Sequence, residues 1–152
     1  MELKERGCFI NVVVRERYFF IGIINCISMN KQLELVRKFH EKFSVPILQK
    51  PSLNSESRFL LRHSLMHSEV QEYLEGVEKE DLPNIAKELA DILYSVYGTI
   101  LEHGLQEVMG EVFEEVHNSN MSKDYSKFKM VKGEKFFKAD VSKFFKTEKG
   151  NI

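Results

Sequence analysis

Glu69 and Glu72 stand three residues apart, and so do Glu88 and Asp91. On a helix that spacing turns both carboxylates of a pair to one face. The second pair lies among Ala86, Leu89, Ala90 and Ile92, and the first lies close to Leu65, Met66, Val70 and Leu74. Two anions side by side on a half-buried helix repel each other and lose hydration, so they stay ionised only beside a cation. Two such helices packed together would bring four carboxylates into one small volume. Hard oxygen ligands with no cysteine among them suit Mg²⁺, with Mn²⁺ as a second possibility. A triphosphate needs the same kind of ion to offset its charge, so the pattern points to a metal–phosphate site.

The elements that must carry these pairs are helical. From Asn30, the residues Leu33, Val36, Phe39, His40 and Phe43 recur at three- and four-residue steps, and Ser44-Val45-Pro46 ends the run. Pro46, Pro51 and a Ser/Asn cluster mark a loop over residues 44–57. A second helix is predicted from about Ser57 to Glu78. Asp81 is placed to cap a third, with Pro83 in its first turn, running to about His103 and stopping at Gly104. No charged residue falls between Asp91 and Glu102, so this third helix should be central. A fourth is predicted from about Leu105 to Ser119. The tail from about residue 121 is rich in Lys and Phe and less periodic, and Phe136-Phe137 and Phe144-Phe145 are candidates to pin it to a core or a partner chain.

Residues 1–28 read differently. Val12–Val14 and Phe19–Ile24 look like strand or hairpin material, too short to span a bilayer and preceded by the acids Glu2, Glu5 and Glu16, which suit no signal peptide. Met29 is the expected natural start, with 1–28 an upstream extension and 29–152 the functional domain.

Composition limits the function. The chain has 152 residues, enough for one domain with a real core. Lys plus Arg number 22 against 23 for Asp plus Glu, which argues against a nucleic-acid binder. Cys8 and Cys26 alone make no disulfide framework and suit a reducing cytoplasm, and no apolar run is long enough for a membrane span. The even balance hides an asymmetry. Residues 69–91 hold eight acids and two lysines, whereas 121–152 hold nine lysines and four acids. The acidic part could hold cations and the basic part could meet phosphates.

The stretch Lys87-Glu-Leu-Ala-Asp-Ile-Leu-Tyr-Ser-Val-Tyr-Gly-Thr-Ile-Leu-Glu-His-Gly104 resembles the all-α NTP pyrophosphatase superfamily, closest to its MazG-like and phosphoribosyl-ATP pyrophosphohydrolase-like members. Glu115-Val-His-Asn-Ser-Asn-Met-Ser-Lys123 and the segment Arg62–Leu74 are similar to that group too. The resemblance implies an all-α bundle that assembles as a homodimer or homotetramer. It implies Mg²⁺-dependent cleavage of a nucleoside triphosphate between the α and β phosphates, giving a monophosphate and pyrophosphate. By the same resemblance Glu69, Glu72, Glu88 and Asp91 are metal ligands, with Glu69 and Glu72 catalytic, and Asn120 and Lys123 are substrate contacts, offered by a neighbouring subunit. One departure stands out. The family's first motif commonly opens with a further Glu, where this chain has Ser68. A hydroxyl is no base near neutral pH, which leaves Glu69 to polarise the attacking water. Two alternatives follow: a non-catalytic helical oligomer that binds nucleotide or metal, and phosphoribosyl-ATP as the substrate.

Other constellations carry less. His63 and His67 are four apart, but Ser64 stands where the zinc-protease motif needs Glu. His103 and His117 lie near helix ends and favour the dipole there, with His117 also a candidate nucleotide contact. Ser122 and Thr99 have no evident base. There is no Gly-rich loop with a Walker lysine, and Asn120-Met-Ser is a glycosylation acceptor only in form. Tyr94 and Tyr97 read as core or interface residues rather than base-stacking groups.

Overall fold

A computed structural model describes residues 31–145 of the chain. The expected hairpin within residues 1–28 and the start at Met29 lie outside the described residues, as does the end of the tail. Helix α1 spans Lys31–Lys42, α2 Glu56–Glu78, α3 Leu82–Glu102 and α4 Met109–Met121. A two-stranded antiparallel hairpin follows, β1 Asp124–Ser126 and β2 Lys129–Val131, and then a short 3-10 turn at Ser142–Phe145. The fold is all-α with an irregular tail, as the resemblance implies.

The helix boundaries follow local chemistry. Asp81 accepts a hydrogen bond from the Asn84 backbone N–H at 3.1 Å, and Pro83 takes the first turn of α3, where a missing N–H costs nothing. At the other end Gly104 has φ 66°. The Leu105 N–H reaches the Ile100 carbonyl at 3.0 Å and the Gly104 N–H reaches the Leu101 carbonyl at 3.1 Å, the paired bonds that close a helix on a left-handed residue. The start of α4 differs from the sequence expectation. Residues 106–108 form a turn rather than helix, and there Gln106 is buried and its Nε2 donates to the Leu48 carbonyl at 2.9 Å. That tether holds the 44–57 loop against the end of α3, and α4 begins only after it.

Helix α3 is central, packed against both α1 and α2. Leu33 and Val36 of α1 meet Ile100 and Leu101 of α3 in the core, with Ile47, Val96, Tyr97, Leu105 and Met109 around them. On α1 the predicted stripe divides. Leu33, Val36 and His40 are buried, whereas Phe39 and Phe43 stay largely exposed, with their rings in tilted contact at 4.7 Å. Phe39 also meets Tyr94 of α3 edge-on at 5.5 Å.

A polar network links the start of α2 to the end of α3. Glu102 is fully buried and takes both arms of the Arg58 guanidinium, at 3.0 and 2.5 Å. Arg62 lies 3.6 Å from the same carboxylate and donates to Ser95 O at 2.5 Å and Thr99 Oγ1 at 3.1 Å. A Cβ at position 98 would overlap the Arg62 guanidinium and come within 2.9 Å of His40 Nε2, so Gly98 is what lets this network pass. The tail is held to α4 at Phe137, where Ser119 Oγ donates to Phe137 O at 2.8 Å and the Phe137 N–H donates to Ser122 Oγ at 3.1 Å, while Phe136, Phe144 and Phe145 are half-buried.

Candidate active site

The α2–α3 pairing carries the acidic pairs with it. Glu69 on α2 and Glu88 and Asp91 on α3 each offer an oxygen, and these oxygens lie within 4.8 Å of one another. Glu88 is 2% exposed, whereas Asp91 and Glu69 are half-buried. Loss of hydration and the nearby Asp91 and Glu72 anions push the Glu69 carboxyl above its ordinary range. Glu72 stands at the edge of the group, 3.7 Å from the Lys87 ammonium.

Lys87 is the residue that sequence reasoning passed over. Its Nζ donates to both oxygens of Glu88, at 3.1 and 3.0 Å, and lies 3.1 Å from Asp91 Oδ2. Hydrogen bonds to Glu88 and then Asp91 hold the ammonium above the ordinary lysine range. Part of the signal was present: a lysine four residues before Asp91 shares its helix face, whereas its bonds to the adjacent Glu88 depend on side-chain conformation. The buried Glu102 was passed over too. A lone acid closing an uncharged helical stretch needs a cation from elsewhere, and Arg58 and Arg62 supply it.

The remaining candidates are not among the three converging carboxylates. Lys123 Nζ donates to Asn120 Oδ1 at 2.7 Å at the end of α4. Helix α4 also bonds to the tail: besides the bond from Ser119, Glu115 accepts from Lys143 Nζ at 2.7 Å and from the Asp140 N–H at 2.9 Å. Ser68 Oγ donates back to the Leu65 carbonyl at 2.9 Å, within its own helix. The His63 and His67 rings stack in parallel, 6.1 Å apart. His103 donates from Nδ1 to the Ser52 carbonyl at 2.9 Å, fixing the 44–57 loop. His117 is exposed on α4, and Tyr97 packs against the core.

Residues 36–120 match the family described as phosphoribosyl-ATP pyrophosphohydrolase. The chain belongs to that family. It is therefore a nucleotide pyrophosphohydrolase, within the MazG-like all-α NTP pyrophosphatase superfamily. No curated protein matches the chain. The family is one of metal-dependent pyrophosphohydrolases, and its matched region contains both helices that bear the acidic triad. The triad fits a hard divalent ion on its own chemistry. It has three carboxylates from two facing helices, one of them buried, and a side-chain ammonium already drawn in among them.

Proposed function

We propose that the protein hydrolyses a nucleoside triphosphate between the α and β phosphates, giving the nucleoside monophosphate and pyrophosphate, with Mg²⁺ held by Glu69, Glu88 and Asp91. The observation that carries this reading is the convergence of those three carboxylates in a chain of this family. A bound divalent ion neutralises phosphate charge and the charge that builds on the leaving pyrophosphate. Glu88 and Asp91, set by one helix, fix the position of the ion. Glu69 and Glu72, one turn apart on the opposing helix, would orient the attacking water and accept its proton.

Asn120 and Lys123 bind substrate phosphate or base, and they do so from a neighbouring subunit of a homodimer or homotetramer. The resemblance of Glu115–Lys123 to the superfamily supports this role. The substrate class and the absence of a membrane-spanning helix among the described residues suit work in the cytoplasm, with neither nucleic acid nor membrane as partner.

The test is pyrophosphate release from nucleoside triphosphates with Mg²⁺, beside Glu88→Gln. Release by the parent chain and a loss of about 10²-fold or more in the variant are expected. Equal turnover in both would overturn the site. The family match favours a second substrate, phosphoribosyl-ATP, which carries the same triphosphate on a bulkier base. Comparing kcat/KM for the two substrates on one preparation decides between them.

A further inference from the structure

The Lys87 ammonium occupies the place among the carboxylates where a cation belongs. It takes both oxygens of Glu88, at 3.1 and 3.0 Å, together with Asp91 Oδ2 at 3.1 Å, and has Glu72 Oε2 at 3.7 Å. Glu88 and Asp91 are also two of the three carboxylates that could hold an ion. The same anions therefore have two claimants. One ammonium leaves three of the four acid charges unbalanced, so the group still attracts a divalent ion strongly. The lysine side chain is 59% exposed on a flexible stem, so packing does not prevent it from swinging out. A divalent ion and an ammonium a few ångströms apart repel with twice the force of two unit charges, so the two cannot share the site at low cost.

Resting on the metal site proposed above, we propose that Lys87 is a tethered counter-ion that competes with the divalent metal for Glu88 and Asp91. It holds the carboxylates together while no ion is bound, and it must be expelled for the ion to enter. Lys87 thereby sets the metal affinity low. The expelled ammonium stays one residue from Glu88, beside the position of an incoming anionic substrate.

The test is direct binding of Mn²⁺ to the full chain without nucleotide, read as free Mn²⁺ by electron paramagnetic resonance. It compares the parent chain with Lys87→Met, Lys87→Arg and Glu88→Gln. Loss of the competing charge should tighten Mn²⁺ binding in Lys87→Met by about tenfold or more. Lys87→Arg keeps a cation and should bind no more tightly than the parent. Glu88→Gln should lose most binding. Mg²⁺ should also raise the melting temperature further in Lys87→Met than in the parent. Should the Met variant lack native helix content by circular dichroism, Lys87→Gln carries the same comparison. Unchanged or weaker binding on neutralising Lys87, with Glu88→Gln still defective, overturns the competition and leaves the metal site standing. Parent and Glu88→Gln binding Mn²⁺ equally, or no Mn²⁺ binding by either the parent or Lys87→Met, overturns the metal site and the competition with it.

Discussion

At the scale of single residues, two charge groups, one enclosed and one half-buried, differ in what they are for. Glu102 is fully enclosed and matched by Arg58 and Arg62, so its charge is satisfied within the fold. Asp91 and its neighbours outnumber the one ammonium among them. Removing a member should therefore have opposite consequences in the two groups. Glu102→Ala strands a buried guanidinium and should cost about 3–5 kcal/mol. Asp91→Ala relieves repulsion, so its stability without metal should be unchanged or slightly higher, while Mg²⁺-dependent pyrophosphate release falls by about 10²-fold or more. Melting curves with and without Mg²⁺, beside turnover, check both. An Asp91 variant that keeps full turnover would mark that acid as structural.

His40 gives the residue scale a pH signature. It is buried beside Gly98, and its Nδ1 donates to the Pro46 carbonyl at 3.2 Å. Burial lowers its proton affinity below the ordinary value of 6.5, and the Arg62 and Arg58 charges lower it further against the opposing pull of Pro46 and Glu102. The unfolded chain takes up a proton near 6.5, whereas the folded chain does so only at lower pH. Stability from this residue is thus complete above about 6.5 and is lost as pH falls toward the folded value, at up to about 1.4 kcal/mol per pH unit. The melting temperature should drop between pH 7 and 5, and His40→Gln should drop less. Equal slopes would show that other groups govern the acid limb.

At the scale of elements, the hairpin shows where local sequence and local structure part. The two residues joining β1 and β2 are Lys127 and Phe128, with φ 45° and 70°. Such turns usually announce themselves with Asn-Gly or Asp-Gly, which tolerate the left-handed region. Lysine and phenylalanine each lose roughly 1–2 kcal/mol there. Replacing Lys127-Phe128 with Asn-Gly should stabilise the hairpin by about 1 kcal/mol or more, and Phe128 is 94% exposed, so little packing is lost. Chemical denaturation of the double variant measures the gain, and a loss would mean that the Phe128 ring has a partner beyond this chain.

The same contrast explains what could be read in advance. Helices α2 and α3 were legible because their signals are local: Asp81 and Pro83 open α3, Gly104 closes it, and three-residue spacing fixes which acids share a face. The facing of Glu69 toward Glu88 and Asp91 followed from two adjacent helices. What was not legible depends on contacts through space. Gln106 bonds to Leu48 ahead of α4, Glu102 finds Arg58 on another helix, and Lys87 enters the acidic group only through side-chain conformation. The hairpin was missed for a different reason, since its turn residues belie its geometry.

At the scale of the whole molecule, one chain does not cover its own apolar surface. Leu33, Val36, Ile100 and Leu101 are the buried hydrophobic residues among those described. Leu93 and Tyr94, within the uncharged run of α3, are 52% and 39% exposed. Tyr94 touches Phe39, and Phe39 touches Phe43, so aromatic surface runs without a break from α3 onto α1. A continuous exposed apolar patch of this kind is the surface that a second copy of the chain would cover. A stable dimer needs roughly 800 Å² from each partner, which a continuous face on two long helices can supply. The protein should scatter light as a dimer or tetramer at micromolar concentration. Leu93→Glu should shift it toward monomer, because a charge buried at such a contact has no partner there. If Asn120 and Lys123 serve the site of a neighbouring subunit, specific activity should fall with that dissociation and recover at high protein concentration. A Leu93→Glu monomer of full specific activity would mean that each chain completes its own site, and that the aromatic face serves assembly alone.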